Sequence, residues 1–202
     1  MARETFAPWA EIVPGVGQMT VNEMLALPED AGWQYELVEG RLVRMPGSGG
    51  EASVIAARLV MVIGGFVEAH DLGVVTGADG TYDLTQPGDA GETGLVPDVA
   101  FVRADRVPPR ASPEYAKAWR LAPDLVVEVV SPSQFRPEMA AKAQRYLAAG
   151  VRLVWMVWPR YQQVDVWRPG AEQPTATLNL SDALDGSDVL PGFTYPLASL
   201  FR

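Results

Sequence analysis

The run Asp124-Leu125-Val126-Val127-Glu128-Val129-Val130 constrains this chain more than any other segment. It is dominated by β-branched residues and stopped by Ser131-Pro132-Ser133, so it reads as a strand. Alternation places Asp124, Val126, Glu128 and Val130 on one face and Leu125, Val127 and Val129 on the other. Both faces are apolar, which predicts a central strand covered on both sides. A helix is expected over 137–149, with Pro137 in its first turn and Gly150 as its stop. A second buried strand, 151–158, follows. Strand, helix and strand in succession form a βαβ-like unit, so the fold class is a mixed α/β or α+β sheet.

The other segments fit around that unit. Residues 1–18 read as a loose N-terminal arm broken by Pro8, Pro14, Gly15 and Gly17, ahead of a single domain over 19–202. Thr20 and Glu23 form a capping-box pattern, which predicts a short helix over 20–27. Residues 35–38 and 41–45 flank Glu39-Gly40, a two-residue hairpin signal. Pro46 to Gly50 is a loop, and 51–70 is a mostly buried helix. Strands are expected over 73–76, 81–85 and 96–102. Residues 103–123 form a Pro-rich connection with a helical turn near 113–119. Two further strands are expected over 163–167 and 175–180.

Composition removes several chemistries. The chain has 202 residues, no Cys and one His. Disulfides, thiolate metal sites and multi-His centres are therefore excluded. The N-terminus lacks an apolar signal core, and no apolar run is expected to approach the roughly 20 residues of a membrane span, so a soluble, cytoplasmic protein is expected. The net charge of −9 opposes tight nucleic-acid binding, which usually needs a basic face. It suits a carboxylate cluster that binds a hard cation.

Three acidic residues stand in apolar strand contexts. A buried, unpaired carboxylate costs several kcal/mol or shifts its pKa strongly, so Glu128 needs a cation, a Lys or Arg, or a proton. Asp98 leads into Val99-Ala100-Phe101-Val102, and Glu36 lies between Tyr35 and Leu37-Val38. Lys142 sits at the edge of the helical stripe Met139, Ala143, Tyr146 and Leu147, within reach of the end of the preceding strand. Each residue also has a plainer reading. Glu128 could pair with any buried base, Asp98 could be a turn residue, and Glu36 could face solvent. Lys142 could form an exposed pair with Glu138. His70 reads as a partner of its helix C-terminus, Trp155, Trp158 and Trp167 as packing, and Gly47-Ser48-Gly49-Gly50 as a plain loop without the P-loop Lys.

Tyr35-Glu36-Leu37-Val38-Glu39-Gly40, Pro97-Asp98-Val99-Ala100-Phe101-Val102, Pro123 to Ser133, and Lys142…Tyr146…Ala149-Gly150-Val151…Val154-Trp155 occur in that order, followed by Leu190-Pro191-Gly192-Phe193. This series resembles the Uma family of restriction-endonuclease-like proteins, and it covers Met19 to Phe201. The resemblance implies a PD-(D/E)XK nuclease fold, a central mixed sheet flanked by helices. It implies Asp98 and Glu128 as Mg²⁺ (or Mn²⁺) ligands, with a carbonyl near Val129, and Glu36 as an additional early acid. Val130 stands where the usual nuclease Lys would be, and Lys142 matches the helical Lys that takes its role. Glu138 matches a frequently acidic position. The His often found after the Gly-rich loop is absent, the local sequence being Glu51-Ala52-Ser53. The implied activity is endonucleolytic cleavage of DNA, and a homodimer is also implied.

A catalytically silent binding or assembly module on the same fold, and a hydrolase of another phosphoester, are the alternatives. Clustering of Arg41, Arg44, Arg103, Arg106, Arg110, Arg136, Arg145 and Lys117 beside the acids would favour DNA. Scatter would favour the binding module.

Overall fold

The structure, a computed structural model, describes residues 7–28, 32–47 and 49–202. In chain order the elements are β1 (Glu11–Ile12), α1 (Val21–Leu25), β2 (Trp33–Val38), β3 (Arg41–Pro46), α2 (Gly50–Ala69), β4 (Gly73–Thr76), β5 (Tyr82–Asp83), β6 (Gly94–Leu95), β7 (Val99–Arg103), β8 (Leu125–Val129), α3 (Arg136–Ala148), β9 (Leu153–Trp158), β10 (Gln163–Trp167), β11 (Ala176–Leu178), β12 (Ala183–Asp185), β13 (Thr194–Pro196) and α4 (Leu197–Leu200).

The central sheet runs β11-β10-β9-β8-β7-β4. Only its β8–β9 pair is parallel, as the intervening α3 crossover requires. A smaller sheet runs β1-β3-β2-β6-β5. The central sheet is covered on both faces, which explains why β8 is apolar on both. On one face Leu125, Val127 and Val129 share a core with Ile55, Leu59 and Ile63 of α2. On the other, Val126 and Val130 meet Met139, Ala143, Tyr146 and Leu147 of α3, together with Val38 and Val43 of the smaller sheet.

Local chemistry sets the boundaries. Thr20 and Glu23 close the capping box of α1, with the Thr20 N–H donating to Glu23 at 2.7 Å. Glu39 and Gly40 take φ of 51° and 77°. Both values are positive, as a two-residue hairpin turn matched to strand twist demands. α3 starts one residue before Pro137, and Glu138 accepts the Phe135 N–H at 3.0 Å.

The tail holds more structure than expected. β12, β13 and α4 pack Leu184, Leu197 and Leu200 beneath α2, and their few residues are too short to show a period. The expected strand over 96–102 begins only at Val99, 81–85 shortens to β5 and 175–180 shortens to β11. The helical turn near 113–119 is a 3₁₀ turn over Pro113–Ala116. The arm is not loose where it is described: Ala7 and Trp9 are buried in the main core, and β1 pairs with β3. Its residues 1–6, and Ser48 of the Gly-rich loop, lie outside the described residues.

α2 is long and apolar enough to cross a membrane by length and composition. This corrects the expectation that no apolar run approaches a membrane span: within these 20 residues only Glu51, Arg58 and Glu68 are charged. Its stripe Ala52, Ile55, Leu59, Ile63 and Val67 is buried.

Gly73 opens β4 where a Cβ would lie 2.0 Å from the Val102 carbonyl oxygen, a clash with backbone that no rotamer relieves. Gly73→Ala is therefore expected to cost about 2 kcal/mol or more, read as a lower urea midpoint. An unchanged midpoint would contradict the strand geometry.

Candidate metal and phosphodiester site

Four elements converge on Lys142. β7 and β8 are antiparallel with Val99 opposite Val127, so the next register step sets Asp98 beside Glu128. The crossover returns α3 over β8, and β2 of the smaller sheet closes the space from the other side. The Lys142 ammonium donates to Glu128 Oε1 at 2.9 Å and to Glu36 Oε1 at 3.0 Å. Tyr146, one turn further along α3, donates its hydroxyl to Glu128 Oε1 at 2.6 Å. Asp98 Oδ2 accepts the Val129 N–H at 2.6 Å. Glu36 is further held by Trp9 Nε1–H at 3.0 Å and the Val96 N–H at 3.1 Å.

These groups are nearly water-free. Glu36 is 0% exposed, Lys142 1%, Glu128 6% and Asp98 8%. The sequence-based alternatives of a solvent-facing Glu36 and an exposed Lys142–Glu138 pair are both wrong. Lys142 turns inward to the two glutamates, while Glu138 caps α3.

Burial governs the electrostatics. It pushes Glu128 up to about 7, against the pull of Lys142 and with the repulsion of Asp98 and Glu36 added. Burial also raises Asp98, although the Val129 N–H and Lys142 oppose it. On Lys142, burial disfavours the charge, but Glu128 and Glu36 together overcome it and hold the ammonium above its ordinary value. Burial and the Glu128 charge keep Tyr146 a neutral phenol.

The pH dependence of stability follows from the sign of these shifts. Between the ordinary Glu value of 4.5 and about 7, the folded chain keeps a Glu128 proton that the unfolded chain has lost. Stability should therefore fall as pH rises through that window and level off above it. Urea midpoints should be lower at pH 8 than at pH 5, and Glu128→Gln should shrink the difference. A higher midpoint at pH 8 would reverse the assignment.

The donor set fits a hard divalent cation. Among the described residues, Asp98 Oδ1 and Glu128 Oε2 take no hydrogen bond, although each partner oxygen is engaged. Also among the described residues, no three His, Cys, Asp or Glu side chains form a metal-holding group. Mg²⁺ commonly takes one or two carboxylates and keeps several waters or phosphate oxygens, and Asp98 and Glu128 offer the two carboxylates.

Sequence reasoning missed Trp9 and the polar use of Tyr146. Tyr146 carried a signal, lying four residues after Lys142 on the inward stripe; Trp9 carried none. It also passed over two further buried carboxylates. Asp124 accepts the Arg103 N–H at 3.0 Å and pairs with Arg106 at 3.0 Å. Asp165 accepts Trp158 Nε1–H at 2.8 Å and the Thr177 hydroxyl at 2.6 Å and pairs with Arg136.

Five of the eight basic positions are tied to carboxylates. Arg44 pairs with Glu11, Arg103 with Asp105 and Arg145 with Glu39, in addition to the Arg106 and Arg136 pairs. His70 caps α2, its Nδ1–H donating to Phe66 O at 2.8 Å. Trp155, Trp158 and Trp167 are core residues.

Comparison with known proteins places this geometry. No curated protein matches the chain. Among solved structures it is similar to a "putative nuclease" of the DUF820 group from Anabaena variabilis. The two share 25% identity over 91% of this chain and 97% of that one, with a TM-score of 0.76. The mixed α/β architecture is therefore the restriction-endonuclease-like fold. A family model described as "Putative restriction endonuclease" matches residues 21–198, a span that holds Glu36, Asp98, Glu128 and Lys142 but not Trp9. Since that span takes in nearly the whole chain, the protein belongs to the Uma2 family.

Proposed function

We propose that the protein is a Mg²⁺-dependent endonuclease that hydrolyses DNA phosphodiester bonds. One observation carries the reading: a fully buried lysine from α3 touches Glu128, although Val130 occupies the usual nuclease-lysine position. A buried ion cluster that served the fold alone could have been replaced as a whole, lysine and glutamates together, by apolar side chains at little or no loss of stability. Family membership and the nuclease neighbour support the same class.

Asp98 and Glu128 would hold Mg²⁺ or Mn²⁺ through their free oxygens, with the Val129 carbonyl as a third donor. When bound, the ion would act as a Lewis acid on the scissile phosphate and lower the pKa of a water. Lys142 would orient that water or offset charge gathering on phosphorus. Glu36 keeps Lys142 charged and aimed, and Trp9 and the Val96 N–H keep Glu36 in place. Tyr146 ties down one oxygen of Glu128 and leaves the other for the ion.

Supercoiled plasmid incubated with Mg²⁺ should be nicked, and EDTA should stop the reaction. Asp98→Asn should slow nicking by at least about 100-fold, since loss of even a supporting partner can cost that much. A second reading, a binding or assembly module on the nuclease fold, is favoured by one observation: the site's arginines are already tied to carboxylates. Calorimetric Mg²⁺ binding without nicking of any substrate would support it and defeat the first. A homodimer is part of the first proposal, and a monomer mass by size-exclusion light scattering would remove it.

A further inference from the structure

We infer that the cavity at the C-terminal ends of β8 and β9 receives an unpaired nucleobase, so that the preferred substrate is single-stranded or locally opened DNA. This rests on the nuclease reading and adds the substrate class. The cavity, about 220 Å³, is lined by Val130 and Ser131, by Phe135 and Tyr161, and by Glu51 at the start of α2. Val130 follows Glu128 by two residues, about 7 Å along a strand, so an occupant would lie one short step from the carboxylates. Ligands favour this place in a sheet, beyond the carboxyl ends of parallel strands.

The walls are built for a flat ring. Phe135 is 65% exposed and Tyr161 54%, in a chain that buries Trp155, Trp158 and Trp167. They come from the turns after two adjacent strands and line the same hollow, and the Arg136 guanidinium carbon lies 5.7 Å from the Tyr161 ring centroid. Arg160 has its guanidinium carbon 5.9 Å from the Tyr161 ring centroid. Unlike the arginines described above, it carries no carboxylate partner among the described residues. Base-stacking faces with a nearby arginine are how sequence-tolerant single-strand binders work.

Charge decides which part of a nucleotide enters. Glu51 would repel a phosphate, yet its carboxylate can accept from the amino group of a base. The backbone phosphate stays outside, near Arg160. The net charge of −9 and the pairing of five arginines with carboxylates weaken the phosphate neutralisation on which duplex binding depends. Stacking remains as the main source of affinity, and only unpaired bases can supply it here.

Binding is measured by fluorescence anisotropy in EDTA, with a short labelled single strand and its duplex. The wild-type protein should bind the single strand about tenfold more tightly. Phe135→Ala and Tyr161→Ala should each weaken that binding by about tenfold, with thermal midpoints unchanged because both side chains are exposed. A 2-aminopurine base in the strand should be quenched by the wild type but not by Tyr161→Ala. Equal binding of duplex, or alanine variants that bind and quench like wild type, would overturn the inference; if the plasmid is still nicked, the nuclease reading survives alone. If wild type neither binds nor cuts any of these DNAs, both fall together.

Discussion

Lys142→Met is expected to lower the unfolding free energy by about 3–5 kcal/mol, the scale for removing one partner of a buried ion pair. The ammonium is shared by Glu36 and Glu128, and Asp98 adds a third acid to the same enclosed space. Without Lys142, like charges would face one another with no water to screen them. Urea denaturation at pH 8, where Glu128 is largely ionised, gives the cleanest reading. Glu36→Gln in the Lys142→Met background should recover part of the loss, although Glu36→Gln alone should destabilise. Simple additivity of the two would show that the groups do not act as a unit.

Glu128→Gln should separate stability from activity. Nicking of plasmid should fall by at least about 100-fold, because a neutral amide is a poor ligand for a hard cation. The amide oxygen can still accept from Tyr146 and Lys142, and the cost of burying a charge disappears. The thermal midpoint at pH 8 should therefore hold or rise. A large fall in midpoint would mean that Glu128 serves the fold rather than the chemistry. Unchanged nicking would remove it from the metal site.

The sequence disclosed the strand and helix skeleton of the site because its signals are local. A doubly apolar strand needs cover on both faces, so β8 had to be central. Glu128 within it had to find a cation or keep a proton, and both outcomes occur: Lys142 touches it and its proton is held to about 7. The inward turn of Lys142 was only half legible. Periodicity set it at the stripe edge, and the neighbouring Glu138 offered an equally plausible exposed partner. What settles the matter is the cap, since Glu138 is engaged by the Phe135 N–H. Glu36 was legible as an acid among apolar residues, but its burial depends on the smaller sheet packing onto the larger one, which no local pattern encodes. Trp9 was invisible because its partner lies 27 residues later in the chain. The last hairpin and α4 escaped because neither is long enough to repeat.

The Lys142 cluster also bears on synthesis. Glu36, Asp98 and Glu128 all leave the ribosome before the lysine that neutralises them. A nascent chain that ends short of α3 can pair β2 with β3 and β7 with β8, yet closing the core between the sheets would enclose acids that must either lack a counter-charge or take up protons. Docking of the two sheets is therefore expected to wait until α3 has emerged, and stalled chains ending before residue 142 should stay sensitive to protease in the segment around Glu36.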